Sequence, residues 1–403
     1  MKPIEIKKDI YWVGHVDWSS RDFHGYSLSP RGTTYNAYLV KDEKITLFDS
    51  VKAEAVNTLK CRIAQVCDLS DIDYIVIDHV EQDHAGAMPA IIEAAKPEKI
   101  FTSPMGLRTI KAVFGDVDWP IEVVKTGDSV SIGTRTIQFM EMRMVHWPDS
   151  MASYIPEDKL LIPNDAFGQN IASSERFVDE FNRAEVFRSM QEYYANIVLP
   201  YSPQVLKVLE QVAELGLDID MIAPDHGLIF RGKEDCQYAL DTYKAFAEQK
   251  AVKPKAVVVY DTMWHSTEKM AKAITEGLER EGISVRCMWL KANHHSAVMT
   301  EIFDAAAVIV GSPTHNNGIM PNVAAMLTYM KGLRPQNKIG AAFGSFGWSG
   351  ESVKAITEWL EAMHLDIVAE PVKCQHVPGH DVLGQCAALG HAVGQAIKAK
   401  ITA

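Results

Sequence analysis

The feature that most limits how this chain can fold is the way one apolar strand ends. The run "YIVI" passes directly into "IDHVEQDHAG", residues 77–86, which packs two histidines and three acidic side chains into ten positions. A sheet fixes the loops that leave its strands, and sites that need fixed side chains are built there. In a locally extended loop His79, Glu81 and Asp83 alternate and project the same way. Ala85 and Gly86 then let the chain turn into the next helix. Other predicted strands end in residues of the same kind: His146 in "MVHWPDS", Asp165 in "IPNDAFG" and His226 in "IAPDHG". Either of the last two histidines alone reads as a surface or core residue. Together with His84 the set supplies four imidazoles and three carboxylates at strand ends. That is enough for two metals, with Asp165 as a bridge.

The rest of the chain divides by rhythm. At 403 residues it is long for one domain. Up to about residue 250 short strands ("DIYWVGHV", "TYNAYLV", "KITLFD", "DYIVI", "KIFTSP", "KLLIPNDA") mix with a helical stretch, "AEAVNTLKCRIAQVC", and with one long strand-like run from 121 to 142. This grammar fits a layered α/β sandwich better than a parallel βαβ array. The charged segment "AEQKAVKPKAV" marks a boundary, giving domains 1–250 and 251–403. Beyond it "AVVVY", "SVRCMWL", "AAAVIVGSP", "IGAAFGS" and "LDIVAEPV" alternate with helices, the pattern of a doubly wound parallel sheet.

Composition removes several function classes. A formal charge of −12 disfavours a nucleic-acid partner. The apolar runs are strand-length, far short of the ~20 residues of a membrane span, and the N-terminus lacks a signal-peptide pattern. The six cysteines form no C-x-x-C pair, so zinc ribbons and rubredoxin-type iron sites are not expected. Scattered cysteines fit a reducing, cytoplasmic setting.

The H-x-E-x-D-H run and the later His, Asp and His resemble those of flavodiiron proteins (A-type flavoproteins), as does "DFHGYSLSPRGTTYNAYLV" near the N-terminus. That resemblance implies a metallo-β-lactamase-like αββα sandwich followed by a flavodoxin-like domain. Hydrolases of the sandwich fold carry H-x-H-x-D-H, and Glu81 stands here in place of their second histidine. Exchanging a neutral ligand for an anion suits iron better than zinc. The resemblance assigns His79, Glu81 and His146 to one iron, Asp83 and His226 to the other, and Asp165 as the bridge. His84 is counted as a ligand, although in some members the equivalent histidine points away and water takes its place. His24, Tyr26 and Tyr193 are expected to line the pocket above the irons.

In the second half, "YDTMWHSTEKMA" places Thr262, Met263, Trp264, Ser266 and Thr267 at a strand-to-helix turn, where hydroxyls and backbone N–H groups bind phosphate. No Walker lysine and no G-x-G-x-x-G is present, which disfavours nucleoside triphosphates and dinucleotides. The turn is similar to the flavodoxin phosphate loop, with Trp264 and His265 where that family has Thr and Gly. Two further loops join it. "SPTHNNG" offers Pro313, Thr314, Asn316 and Gly318; "GSFGWSGE" offers Ser345, Phe346, Gly347, Trp348 and Gly350. All leave the same sheet edge, and Trp348 can stack on a flat ring, so the expected cofactor is FMN. "CQHVPGH", 374–380, reads as a plain connection.

The expected function is therefore reduction of O2 to water, or of NO to N2O, at two irons per chain. Electrons would pass through FMN from rubredoxin or a similar small carrier. The expected assembly is a head-to-tail homodimer or a dimer of dimers. Two alternatives stay open on the residues alone. One is a metal-dependent hydrolase with an FMN-binding passenger domain; the other is an electron-transfer flavoprotein with a structural metal fold.

Overall fold

The computed structural model describes residues 2–250 and 252–402. Two compact units emerge: residues 1–25, 29–193 and 201–247 form the first, and residues 26–28, 194–200 and 248–403 the second. The expected boundary falls at Ala251, outside the described residues. Pro254 belongs to no linker. It sits near the start of the strand Lys253–Tyr260, a position where proline is tolerated.

The first unit is built on two sheets. One runs in the order Ile4–Lys7, Ile10–Trp12, Tyr38–Val40, Ile45–Phe48, Ile72–Ile77, Lys99–Thr102, Ile121–Val123. Its first four strands pair antiparallel and the rest parallel. The other sheet takes Ser129–Ser131, Thr136–Glu141, Met151–Ile155, Leu160–Ile162, Met221–Ile222 and Phe230–Arg231 in order. Alternation along the strands sorts the core. Tyr38, Val40, Phe48 and Val76 face the second sheet and meet Ile137, Phe139, Met151 and Ile162. Their neighbours Leu39, Leu47, Ile75 and Ile77 face the other way, onto Leu59, Ile63, Met88 and Ile91 of the helices. Fully burying each such side chain contributes about 1.5–3 kcal/mol.

Two expected strands are broken. "DIYWVGHV" divides at Gly14 into Ile10–Trp12 and His15–Asp17. A Cβ there would lie 2.2 Å from the Tyr35 carbonyl oxygen, so only glycine lets the two backbones approach. The run 121–142 becomes three strands, the first in one sheet and the other two in the next. Gly127 and Gly133, with φ of +92° and +127°, provide the turns.

The second unit holds a parallel sheet in the order Ser284–Trp289, Lys253–Tyr260, Ala305–Gly311, Ile339–Phe346, Asp366–Ile367, with Val372–Gln375 also beside Ile339–Phe346. The expected fifth strand is thus split in two, and both pieces pair in parallel with Ile339–Phe346. The long helix Ser266–Arg280 packs Ile274 and Leu278 onto this sheet, beside Leu389 and Val393 of His380–Thr402.

Candidate metal centre and flavin cradle

Strand Ile72–Ile77 delivers His79 and Glu81, and a one-turn helix, Gln82–Ala85, delivers Asp83 and His84. The loop is therefore not extended throughout. The helical turn swings Asp83 away from His79 and Glu81 and into a different donor group. The loops after Thr136–Glu141, Leu160–Ile162 and Met221–Ile222 add His146, Asp165 and His226.

Two groups of donor atoms result: His79, Glu81, His146 and Asp165 in one; Asp83, His84 and His226 in the other. Asp165 divides its oxygens between them. Its Oδ2 lies 3.3 Å from His79 Nε2 and 3.2 Å from His146 Nε2. Its Oδ1 lies 3.1 Å from His84 Nε2 and 3.3 Å from His226 Nε2. Glu81 Oε2 closes the first group at 3.1 Å from His79 and 3.4 Å from His146. Asp83 closes the second at 3.4 Å from His84 and 3.2 Å from His226. Ligand bonds of about 2.1 Å spread at tetrahedral or octahedral angles hold donors about 3.0–3.4 Å apart.

The donors fit a cation for a second reason. His146 Nε2, His226 Nε2, His84 Nε2 and both oxygens of Asp83 and Asp165 are buried with no hydrogen-bond partner, an expensive arrangement unless something else meets them. Nitrogen and carboxylate donors without sulfur suit iron.

Electrostatics point the same way. Burial alone would raise Glu81, Asp83 and Asp165, but the surrounding imidazoles outweigh it and hold all three below the usual carboxylate range. Burial would lower His79, His84 and His146, and the carboxylates facing them raise all three instead.

Outer partners orient the rings. His79 Nδ1 lies 3.1 Å from Asp149 Oδ2, which also accepts from Val80 N at 2.8 Å. His226 Nδ1 is 2.7 Å from the Thr34 carbonyl oxygen, and His84 Nδ1 is 3.6 Å from Asp225. The hydrogen bonds at His79 and His226 present the Nε2 lone pair to a metal, whereas His84 Nδ1 makes none. Behind them burial, reinforced at Asp78 and Asp225 by neighbouring carboxylates, raises Asp49 (to about 6), Asp78 and Asp225.

Of the residues expected above the irons, His24 contacts Glu81 through Nε2. Tyr193 is buried with its hydroxyl unpartnered and its ring 5.7 Å from His226. Tyr26 groups instead with the second unit. Its carbonyl accepts from His295 Nε2 at 2.8 Å and its ring lies 6.2 Å from Tyr329, contacts that lend no support to a place above the metals.

In the second unit a cavity of about 760 Å³ opens at the C-terminal ends of the parallel strands, within the size of a cofactor site. Met263, Trp264, Ser266, Pro313, Thr314, Asn316, Ser345, Phe346, Gly347 and Trp348 line it. Trp264 and Trp348 stand 93% and 89% exposed at its rim. Left-handed backbone at Trp264, His265, Asn316 and Asn317 curls the loops around it. Hydroxyls, amides and a helix N-terminus, with two free indoles, fit a flavin mononucleotide.

Four expected contacts do not line the cavity. Thr267 is buried and pins one loop to the next through Ser345 Oγ at 2.9 Å. Thr262 turns its hydroxyl to the Met263 carbonyl. The Gly318 N–H closes a tight loop on the His315 carbonyl. Gly350, at φ +86°, packs against the Phe346 ring. Asn317, Ser349, His376 and Val377 line the wall as well, so "CQHVPGH" is part of the cradle.

Comparison with known proteins follows the same division. The ODP family beta-lactamase model matches residues 33–227 and the flavodoxin model residues 258–390. The chain is 56% identical to the rubredoxin-oxygen oxidoreductase of Megalodesulfovibrio gigas over the whole of both chains. The chain belongs to the flavodiiron family. Its similarity to the nitric oxide reductase of Moorella thermoacetica is 44%, covering 98% of this chain and 99% of that one. Among solved structures, rubredoxin oxygen:oxidoreductase from Desulfovibrio gigas covers all of both chains with a TM-score of 0.98 at 56% identity. The flavodiiron protein of Giardia intestinalis gives 0.96 at 32% identity, covering 100% of this chain and 98% of that one. Membership settles the αββα sandwich and the flavodoxin-like sheet, and leaves the hydrolase alternative without support.

Sequence reasoning missed the outer acids of this flavodiiron chain. Asp49, Asp78 and Asp225 sit just beyond strand ends, Asp149 lies two residues before the strand Met151–Ile155, and Asp78 and Asp225 directly precede candidate ligand histidines. That adjacency was the available signal.

Proposed function

We propose that this chain reduces O2 to water, or NO to N2O, with electrons delivered by rubredoxin or a similar small carrier. The observation that carries the reading is the division of Asp165 between two donor groups. His79, Glu81 and His146 would hold one iron, Asp83, His84 and His226 the other, with Asp165 between them. The irons and FMN, when bound, supply the redox chemistry; the protein positions and insulates them. The outer acids keep the imidazoles in one orientation. Glu81 adds an anionic donor where a neutral one would serve zinc. Tyr193, whose proton burial and the nearby carboxylates hold well above the ordinary phenol range, offers an O–H donor over the pair, and His24 steadies Glu81. Residues 1–250 form the metal domain and 251–403 the flavin domain.

Among the described residues no helix is long and apolar enough to cross a membrane, and a cytoplasmic setting accords with the scattered thiols. The working unit is a head-to-tail homodimer, alone or doubled, in which each flavin serves the partner's irons. Anaerobic turnover of each gas with reduced rubredoxin, alongside elemental analysis, tests the function. Zinc in excess of iron, or no uptake of either gas, would refute it. The dimer is tested by mixing a chain carrying His79→Ala and His146→Ala with one carrying Ser266→Glu. Partial return of activity in verified heterodimers supports it, and inactive heterodimers of folded chains refute it.

A further inference from the structure

A small cavity of about 20 Å³ lies within the first unit. Its floor is Met140 and Leu161 of the second sheet, and its cover is Val205, Val208 and Leu240 from the helices Ser202–Glu214 and Lys233–Glu248. The volume exceeds the roughly 10–15 Å³ that admits one water-sized particle. Water would need two to four polar partners, and this wall is aliphatic, thioether and aromatic. Cavities of that kind stay dry and accept apolar atoms.

Its position gives it a role. Val145 and Ala166 line it, and each is the chain neighbour of a proposed ligand, His146 and Asp165. No residue intervenes in the chain between these two wall residues and the proposed metal donors. At the other end the lining residues Val208, Leu209, Val212 and Leu240 are only half-buried. Phe167 stands on the inner wall with φ +67°, a left-handed backbone that is unusual for a bulky residue. Its ring packs 4.5 Å from that of Tyr243.

We propose that this cavity is a docking site for the uncharged diatomic substrate, a station between the helix-covered surface and the irons. Resting on the gas-reductase reading above, it adds a route separate from the polar face near His24. An apolar diatomic partitions into a dry cavity, whereas water and anions are rejected. The site thereby raises local gas concentration beside a centre that must exclude bulk water.

The test uses the holoenzyme and xenon as probe. Crystals under xenon should show an atom between Met142, Phe167 and Val208, and xenon in solution should compete with the gas, raising KM without changing kcat. Val208→Phe fills the cavity from a helix that supplies no metal donor. It should abolish the xenon site and raise KM for gas at least about threefold at unchanged kcat, iron content and flavin content. Val208→Ala should keep the xenon. If Val208→Phe does not fold, Val212→Phe and the xenon competition carry the same test. An empty cavity under xenon, or bound xenon that leaves KM unaltered, overturns the proposal. A wild-type enzyme that turns over neither gas refutes the underlying function instead, whatever xenon does.

Discussion

Asp149 offers the sharpest test of how the metal centre is held. Its Oδ2 takes two hydrogen bonds, from Val80 N at 2.8 Å and from His79 Nδ1 at 3.1 Å. The residue is 1% exposed, so both hydrogen bonds lie away from bulk solvent. Asp149→Ala leaves the Val80 N–H unpaired, at a cost of about 1–3 kcal/mol. It also frees His79 to change tautomer and turn away from the metal. Outer partners of this kind are worth about 10–100-fold in metal affinity, or about 1.4–2.7 kcal/mol. Asp149→Asn keeps an acceptor oxygen and loses only the charge, so it should fall between wild type and Asp149→Ala. The assay is chelator competition followed by iron analysis. Iron should leave Asp149→Ala in two phases, with the iron next to His79 lost first and the flavin spectrum unchanged. If that variant holds both irons with wild-type resistance to chelator, the role given to Asp149 is wrong.

Asp165→Ala removes a carboxylate that faces both donor groups. It should lose most of both irons while keeping FMN; iron analysis beside flavin absorbance decides. Trp348→Ala strips an 89% exposed indole from the cradle rim and should weaken FMN by about 2–12-fold, the equivalent of 0.5–1.5 kcal/mol of ring stacking. Iron should stay in place, and equilibrium titration of the flavin-stripped protein measures the change. In metal-free protein, burial raises Asp49 from 3.8 to about 6. The folded chain then keeps a proton that the unfolded chain releases, so stability is full below pH ~4 and falls as pH rises to ~6, by up to about 3 kcal/mol. Melting temperatures across pH 4.5 to 6.5 should decline for the stripped wild type and less steeply for Asp49→Asn, whose remaining decline comes from Asp78 and Asp225; parallel slopes would reject the assignment.

Legibility differed between the two halves for a physical reason. A metal centre gathers many ionisable residues, and those are rare at the ends of buried strands. His79, Glu81, Asp83, His84, His146, Asp165 and His226 therefore stood out, and the structure brings all seven together. The partition came from the resemblance and not from the residues alone, because Asp83 leaves the extended path only when Gln82–Ala85 coils into a helical turn. Cradle loops were legible as loops, but their contacts were not. A threonine at a strand-to-helix turn can face a ligand or pin a neighbouring loop, and Thr267 does the latter. His376 and Val377 carried no local mark because their role depends on Val372–Gln375 pairing beside Ile339–Phe346. Tyr26 is close in sequence to His24, yet it groups with the other unit.

The two sites are opposites in charge and access, and that contrast explains why one chain needs both. His79, His84, Asp165 and His226 are fully buried, so no protein donor can touch the metal centre. Its three carboxylates hold protons on His79, His84 and His146 when no cation is present, and cations take the place of that positive charge. Such a centre is closed to anything but ions during assembly and small neutral molecules afterwards. The cradle has no lysine, arginine or carboxylate among its lining residues and two indoles almost fully in solvent. A flavin seated there would meet an uncharged wall and two exposed indoles. Under the proposed function, electrons would enter at the cradle and gas would react at the metal centre. Neither substrate has to cross the other's path.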